Sequence, residues 1–203
     1  MLTTDKKDQA TMLVDVAQIQ PGYLSRLSVR PAANGTHFLL QAKDVSPTTG
    51  IRSVGLLRFR PQRQPNLYRI SRGDILIASR GHDHQAYLVR EDLGDTLASS
   101  VFYIIRPRAK SIVPAYLAWW LNLPHVQALI DSGARGTNIG YVARQVLEHL
   151  PVVIPTLPVQ IKIAETLELW RRRQSLQARL DQKREQLIHV ICRQAVQQEG
   201  MIL

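Results

Sequence analysis

The stretch Arg80-Gly81-His82-Asp83-His84-Gln85 places a guanidinium, two imidazoles and a carboxamide within one short segment. Such groups read base edges in a nucleic-acid groove or hold phosphate oxygens. The planar fork of an arginine fits guanine O6 and N7 with two bonds, and an amide can do the same for adenine. Arg80, His82, His84 and Gln85 are therefore candidate contacts to DNA. Two histidines one residue apart, with no third ligand at a defined position, make a poor metal site, and no metal is expected. A second set is Arg58, Arg60 and Arg63 in LLRFRPQR. On a strand Arg58 and Arg60 point the same way, either as a solvated edge or toward phosphates. A third is the segment SGARGTNIG, where Gly133, Gly136 and Gly140 surround Arg135 and Asn138. It could cradle a phosphate or serve only as a helix cap and tight turn. No Gly-Lys-Ser/Thr follows, so it is not a nucleotide-binding P-loop.

The charge balance points the same way. The 203 residues carry 26 Lys and Arg against 16 Asp and Glu, a formal net charge of +10. Residues 20–150 hold sixteen of the basic and eight of the acidic side chains, so most of the excess sits on the presumed globular part. A polyanion partner is the natural inference, and nucleic acid the commonest one. A GC-rich genome would also enrich Arg over Lys, as seen here. The apolar share of 45% is enough for a core. No apolar run is long enough for a membrane helix, and the N-terminus has no signal-peptide core. Cys192 is the single cysteine, which excludes an internal disulfide and a cysteine-based zinc site and fits a reducing, cytoplasmic setting.

Elements must position these groups. Residues 1–12 read as a flexible tail. VDVAQIQPG alternates and breaks at Pro-Gly, reading as a first strand. THFLLQAKDV, RSVGLLRFR, RGDILIAS, QAYLVR and SSVFYIIRP read as further strands. In RGDILIAS the run Ile75-Leu76-Ile77 suits a strand buried on both faces. Gly73-Asp74 is the turn into it, with Asp74 serving that turn. From Val113 to Gly133 the period becomes helical, with Pro114 in the first turn and a break at Pro124. YVARQVLEHL reads as a short helix and PVVIPTLP as an extended segment. From Pro158 to about Gln198 no further Gly or Pro occurs, which predicts one long helix. Leu169, Leu176, Leu180, Leu187 and Val190 form an incomplete heptad seam interrupted by Arg173 and Lys183. Arg171, Arg172 and Arg173 read as a solvated face.

The chain shows no amino-methyltransferase Asn-Pro-Pro-Tyr stretch, no Gly-x-Gly cofactor loop, no Walker lysine and no Gly-x-Ser-x-Gly elbow. No enzyme activity and no cofactor are expected. The order DVAQIQPG, FLLQAKDV, RGDILIASRG, ASSVFYIIRP, VPAYLAWWLNLP, SGARGTNIG and LEHLPVVIPTLPVQIKIAETL, then a long helix, resembles the target-recognition module of type I restriction-modification specificity subunits. The resemblance covers roughly residues 14–195. It implies a non-catalytic subunit that directs an adenine methyltransferase and a motor-nuclease subunit to a bipartite double-stranded DNA site in phage defence. The usual member has two recognition domains and two long helices; this chain shows one of each, a half-subunit pattern. It also departs at the acidic position beside the glutamine, where Val159 precedes Gln160.

The expected fold is α/β (α+β), a mixed, mostly antiparallel twisted sheet with flanking helices, followed by one long C-terminal coiled-coil helix. The expected domains are a tail (1–12), a DNA-binding target-recognition domain (13–157) and a helix (158–198) for homodimerisation and methyltransferase docking. The alternatives are a stand-alone DNA-binding adaptor, a small nuclease or methyltransferase of unfamiliar layout, and a coiled-coil adaptor whose basic head meets a membrane or an acidic protein.

Overall fold

The computed structural model describes residues 11–25, 29–62, 64–81, 84–108, 110–135 and 140–198. In chain order its elements begin with β1 (Thr11–Met12), α1 (Leu13–Val16), β2 (Ala17–Pro21), β3 (His37–Leu40), β4 (Val45–Ser46), β5 (Gly50–Ile51) and β6 (Leu57–Phe59). Then come β7 (Ile75–Ala78), β8 (Ala86–Leu88), β9 (Thr96–Ala98), β10 (Phe102–Pro107), α2 (Pro114–Leu121) and α3 (Pro124–Ser132). The last are β11 (Ala134–Arg135), β12 (Tyr141–Val142), α4 (Arg144–Glu148), β13 (Pro151–Val152) and α5 (Leu157–Gln198). The chain divides into two compact units, Met1–Ile161 and Lys162–Leu203.

The first unit is built on a four-stranded sheet in the order β2-β10-β7-β8, antiparallel throughout. Ile75, Leu76 and Ile77 are fully buried. Their lack of alternation follows from cover on both faces. Leu76 and its cross-strand partner Ile104 share one cluster with Leu40, Ile70, Phe102 and Val89. A second sheet, β6-β3-β9, contains a parallel pair, β3 with β9. Its core is Tyr23, Leu39, Phe59 and Leu97, with the Tyr23 ring tilted on Phe59 and edge-on to Tyr68. The fold is the expected mixed, mostly antiparallel one, distributed over several small sheets.

The turn into β7 is as the sequence suggested. Gly73 has φ +96, a region that favours glycine. Asp74 accepts the Ser71 amide at 2.9 Å and the Arg106 guanidinium at 3.2 Å. Burial raises its pKa above the ordinary carboxylate value, against the lowering pull of Ser71 and Arg106.

Several segments differ from expectation. Leu13–Val16 is a helical turn, and the strand begins only at Ala17. Leu13 and Val16 are both buried, and Asp15 accepts the Met12 amide, so the i,i+3 period wins over an alternation that four residues cannot distinguish from it. Thr11 and Met12, assigned to the tail, pair with Val152 and Pro151. In THFLLQAKDV the strand stops at Leu40, and Ala42–Asp44 forms a 3-10 turn. Buried Asp44 closes it by accepting the Gln41 amide at 3.0 Å while pairing with Arg52 at 3.1 Å.

The predicted helical region splits as expected. Pro114 and Pro124 start α2 and α3, where their missing N–H groups cost nothing. Asn122, just past α2, then performs a strand's task. Its Oδ1 accepts the Ala86 amide at 2.8 Å and its Nδ2 donates to the Ala86 carbonyl at 2.9 Å, pairing the backbone of β8. Asn122→Ala removes both bonds, and denaturant unfolding should show a loss of about 1–2 kcal/mol; an unchanged midpoint would mean that water replaces the amide fully.

Helix α5 runs as one uninterrupted element of 42 residues, roughly 60 Å at ~1.5 Å per residue. Its first turns carry Gln160, fully buried among the residues of the first unit. No helix among the described residues is long and apolar enough to cross a membrane.

Candidate nucleic-acid interface

Beyond Ala78 the chain leaves the central sheet. Ser79 is buried and ties to Val101, its amide donating to the Val101 carbonyl at 2.7 Å and its hydroxyl at 2.9 Å. The Ser79 carbonyl accepts the Val142 amide at 2.9 Å, Arg80 bridges Tyr141 in antiparallel register, and the Gly81 amide donates to the Gly140 carbonyl at 3.2 Å. Tyr141 and Val142 pair in turn with Arg135 and Ala134. The loop after β7 and the glycine-punctuated segment, separate in sequence, are thus neighbours in one small antiparallel ribbon. The sequence places Tyr141 and Val142 at the start of a helix; in the structure they pair as a strand with Arg135 and Ala134, and the helix begins at Arg144.

The side chains of the cross-strand pair meet. The Arg80 guanidinium lies over the Tyr141 ring, 5.8 Å from its centroid, and both residues are exposed. The Tyr141 hydroxyl is 3.0 Å from that of Tyr103, which donates to the Val142 carbonyl at 3.1 Å. Tyr103 has one proton and spends it on Val142, so Tyr141 is the donor between the two hydroxyls. Burial pushes the Tyr103 phenol above its ordinary pKa. At Gly81 φ is +115, and an added Cβ would meet nothing within 4 Å.

His84 is placed differently from expectation. It is 3% exposed, and its Nδ1 donates to the Ala78 carbonyl at 2.8 Å, which fixes the ring's tautomer. Its own carbonyl accepts Gln127 Nε2 at 3.3 Å. His84 pegs the loop to the end of β7 and does not present an imidazole outward; the sequence read its type but not its direction. Gln85 is half-buried beside it. Arg58 lies in β6 of the other sheet and Arg60 just after its end, and both are exposed. Arg58 Nε donates to the Gly35 carbonyl at 2.8 Å, and the guanidinium sits 6.0 Å from the exposed Phe38 ring. Its fork is partly used in holding the Gly35 turn. Arg135 has its backbone in β11. Arg63, His82 and Asn138 lie outside the described residues. Among the described residues no group of three His, Cys, Asp or Glu could hold a metal.

The sequence gives little sign of Tyr141 and Tyr103 as participants. Tyr141 had a faint signal, a lone aromatic directly after the glycine-punctuated loop. Tyr103 was hidden inside an apolar strand.

On α5 the seam residues are all uncovered in the single chain. Leu169, Leu176, Leu180, Leu187 and Val190 are exposed, as are Trp170, Ile188 and Ile191.

No family model and no curated protein matches the chain in sequence. Solved structures match it in fold. The S subunit of the type I restriction-modification system from M. genitalium aligns with a TM-score of 0.55 at 15% identity, covering 85% of this chain and 41% of that one. The HsdS subunit from Thermoanaerobacter tengcongensis aligns with a TM-score of 0.56 at 18% identity, covering 84% and 39%. A chain from a type I R-M system, solved for its complex assembly and conformational transition, aligns at 0.62 and 18% identity, covering 90% and 43%. This chain thus spans about two fifths of the length of each of these neighbours. Their sheet-and-helix fold is the one the sequence resemblance implied.

Proposed function

We propose that this protein is a non-catalytic, sequence-specific DNA recognition subunit of a type I restriction-modification system. The observation that carries the reading is the shared fold, which covers the basic head and the long helix together. The ribbon presenting Arg80 supplies a physical means of reading. An exposed guanidinium can enter a groove and take a guanine edge with two bonds. The remaining basic excess supplies phosphate contacts that set register without reading sequence. On this reading the head covers residues 13–157, and the helix 158–198 joins two copies as a homodimer and docks a methyltransferase subunit. Two heads then address a bipartite site, and a motor-nuclease subunit completes a cytoplasmic assembly for phage defence.

Arg80→Ala tests the reading at one residue. It should weaken binding to the preferred duplex by about 1–3 kcal/mol and relax preference at one position. Fluorescence anisotropy against the preferred duplex and its single-position variants measures this. Equal weakening on every sequence would make Arg80 a phosphate contact, and no change would remove the loop from the interface.

A further inference from the structure

We propose that Tyr141 is a specificity-positioning residue, holding the Arg80 guanidinium in the orientation that reads a guanine. This rests on the recognition reading above and adds a second residue and a base identity to it. The first support is register. Arg80 and Tyr141 are direct cross-strand partners, so their side chains rise from the same place on the ribbon. The second is the contact itself, a guanidinium 5.8 Å from a ring centroid, where the ring's negative face attracts the cation.

The third is that the ring is anchored. A tyrosine this exposed would ordinarily sample several rotamers. Here its hydroxyl is tied to Tyr103, and the Tyr103 hydroxyl is tied to Val142, the residue next to Tyr141 in the chain. Tyr103 lies in the central sheet, paired with Ile77 on one side and Pro21 on the other. The ring is therefore referenced to the rigid core rather than to the loop.

A long side chain free in water loses rotamer entropy on forming a two-bond contact. An arginine already laid on an anchored ring has lost part of that freedom beforehand, and its plane is set. Orientation matters most where two bonds must form in one plane, as at guanine O6 and N7. It matters little for a phosphate, which accepts from many directions. Tyr141 should therefore act on discrimination at the base that Arg80 reads, and hardly at all on the binding shared by every sequence.

The test is a randomised-duplex selection with the full chain and its Arg80→Ala, Tyr141→Leu, Tyr141→Phe and Arg80→Ala/Tyr141→Leu variants. Circular dichroism melts confirm that each is folded. Tyr141→Leu should reduce discrimination at one guanine by roughly two- to fivefold. The position should be the one that Arg80→Ala relaxes, and salt-dependent binding to mismatched duplex should stay unchanged. The double variant should discriminate no worse than Arg80→Ala alone, since Tyr141 acts through Arg80. Tyr141→Phe keeps a ring beneath the guanidinium but loses the tie to Tyr103, so it should show a loss of discrimination intermediate between the unaltered chain and Tyr141→Leu, which also decides the matter should Tyr141→Leu fail to fold. Additive losses, uniform weakening across sequences, or a loss in Tyr141→Phe as large as in Tyr141→Leu would overturn the proposal. Absence of any preference in the unaltered chain would instead overturn the recognition reading beneath it.

Discussion

Gln160→Leu should lower the stability of the head by roughly 3–5 kcal/mol, read as a fall in the urea midpoint with an unchanged slope. Gln160 is fully buried in the first turns of α5. Its Oε1 accepts the Val113 amide at 2.8 Å, and its Nε2 donates to the carbonyls of Ser111 and Pro155, each at 2.8 Å. One acceptor and two donors on a single planar group are what these backbone sites require, and among side chains of this length only glutamine offers both. Leucine fills the space but leaves an amide and two carbonyls without partners, at about 1–3 kcal/mol each when water cannot reach them. Glutamate is nearly isosteric and should be no better. It can accept from Val113, but it has no donors for two carbonyls and would bury a charge. A loss below about 1 kcal/mol for Gln160→Leu would mean that the segments around residues 111 and 155 are held by other contacts.

Replacing both Leu180 and Leu187 by Asp should convert the chain from dimer to monomer while leaving the head's melting unchanged. A lone helix with Leu169, Leu176, Leu180, Leu187 and Val190 in water is a surface that normally finds cover. On the homodimer proposed above, a second copy would supply it isologously, with each contact made twice. Removing two leucines per chain from such a seam forfeits roughly 6 kcal/mol or more of apolar burial, about four orders of magnitude in association. The seam is imperfect, since Arg173 and Lys183 occupy two of its positions. Light scattering across a concentration series reads the outcome. An unaltered chain that stays monomeric at high concentration would reject the homodimer and leave the stripe for a methyltransferase subunit.

The sequence made some features legible and hid others for physical reasons. The doubly covered strand Ile75–Ala78, the glycine turn before it, the proline starts of α2 and α3 and the long α5 all follow from local rules that hold without knowledge of tertiary partners. The short pieces did not. Two-residue strands such as β11 and β12 carry no period, so Tyr141 and Val142 could be joined to the next helix. His84 and Arg58 were recognisable as chemistry, but their directions are decided by the carbonyls of Ala78 and Gly35, which sequence does not place. The Arg80–Tyr141–Tyr103 arrangement links residues up to 61 positions apart, since it spans Arg80 to Tyr141. Only the register of the ribbon against the central sheet brings them together.

On the proposed function this head reads DNA sequence. That is tested most directly by binding the purified full chain to a randomised duplex library over a series of salt concentrations. One sequence should be enriched, containing a guanine whose selection disappears in Arg80→Ala. Affinity should also fall linearly in log–log form with salt, as counterions are released from neutralised phosphates. Salt-sensitive binding with no sequence enriched, or binding that does not respond to salt, would contradict the proposed function.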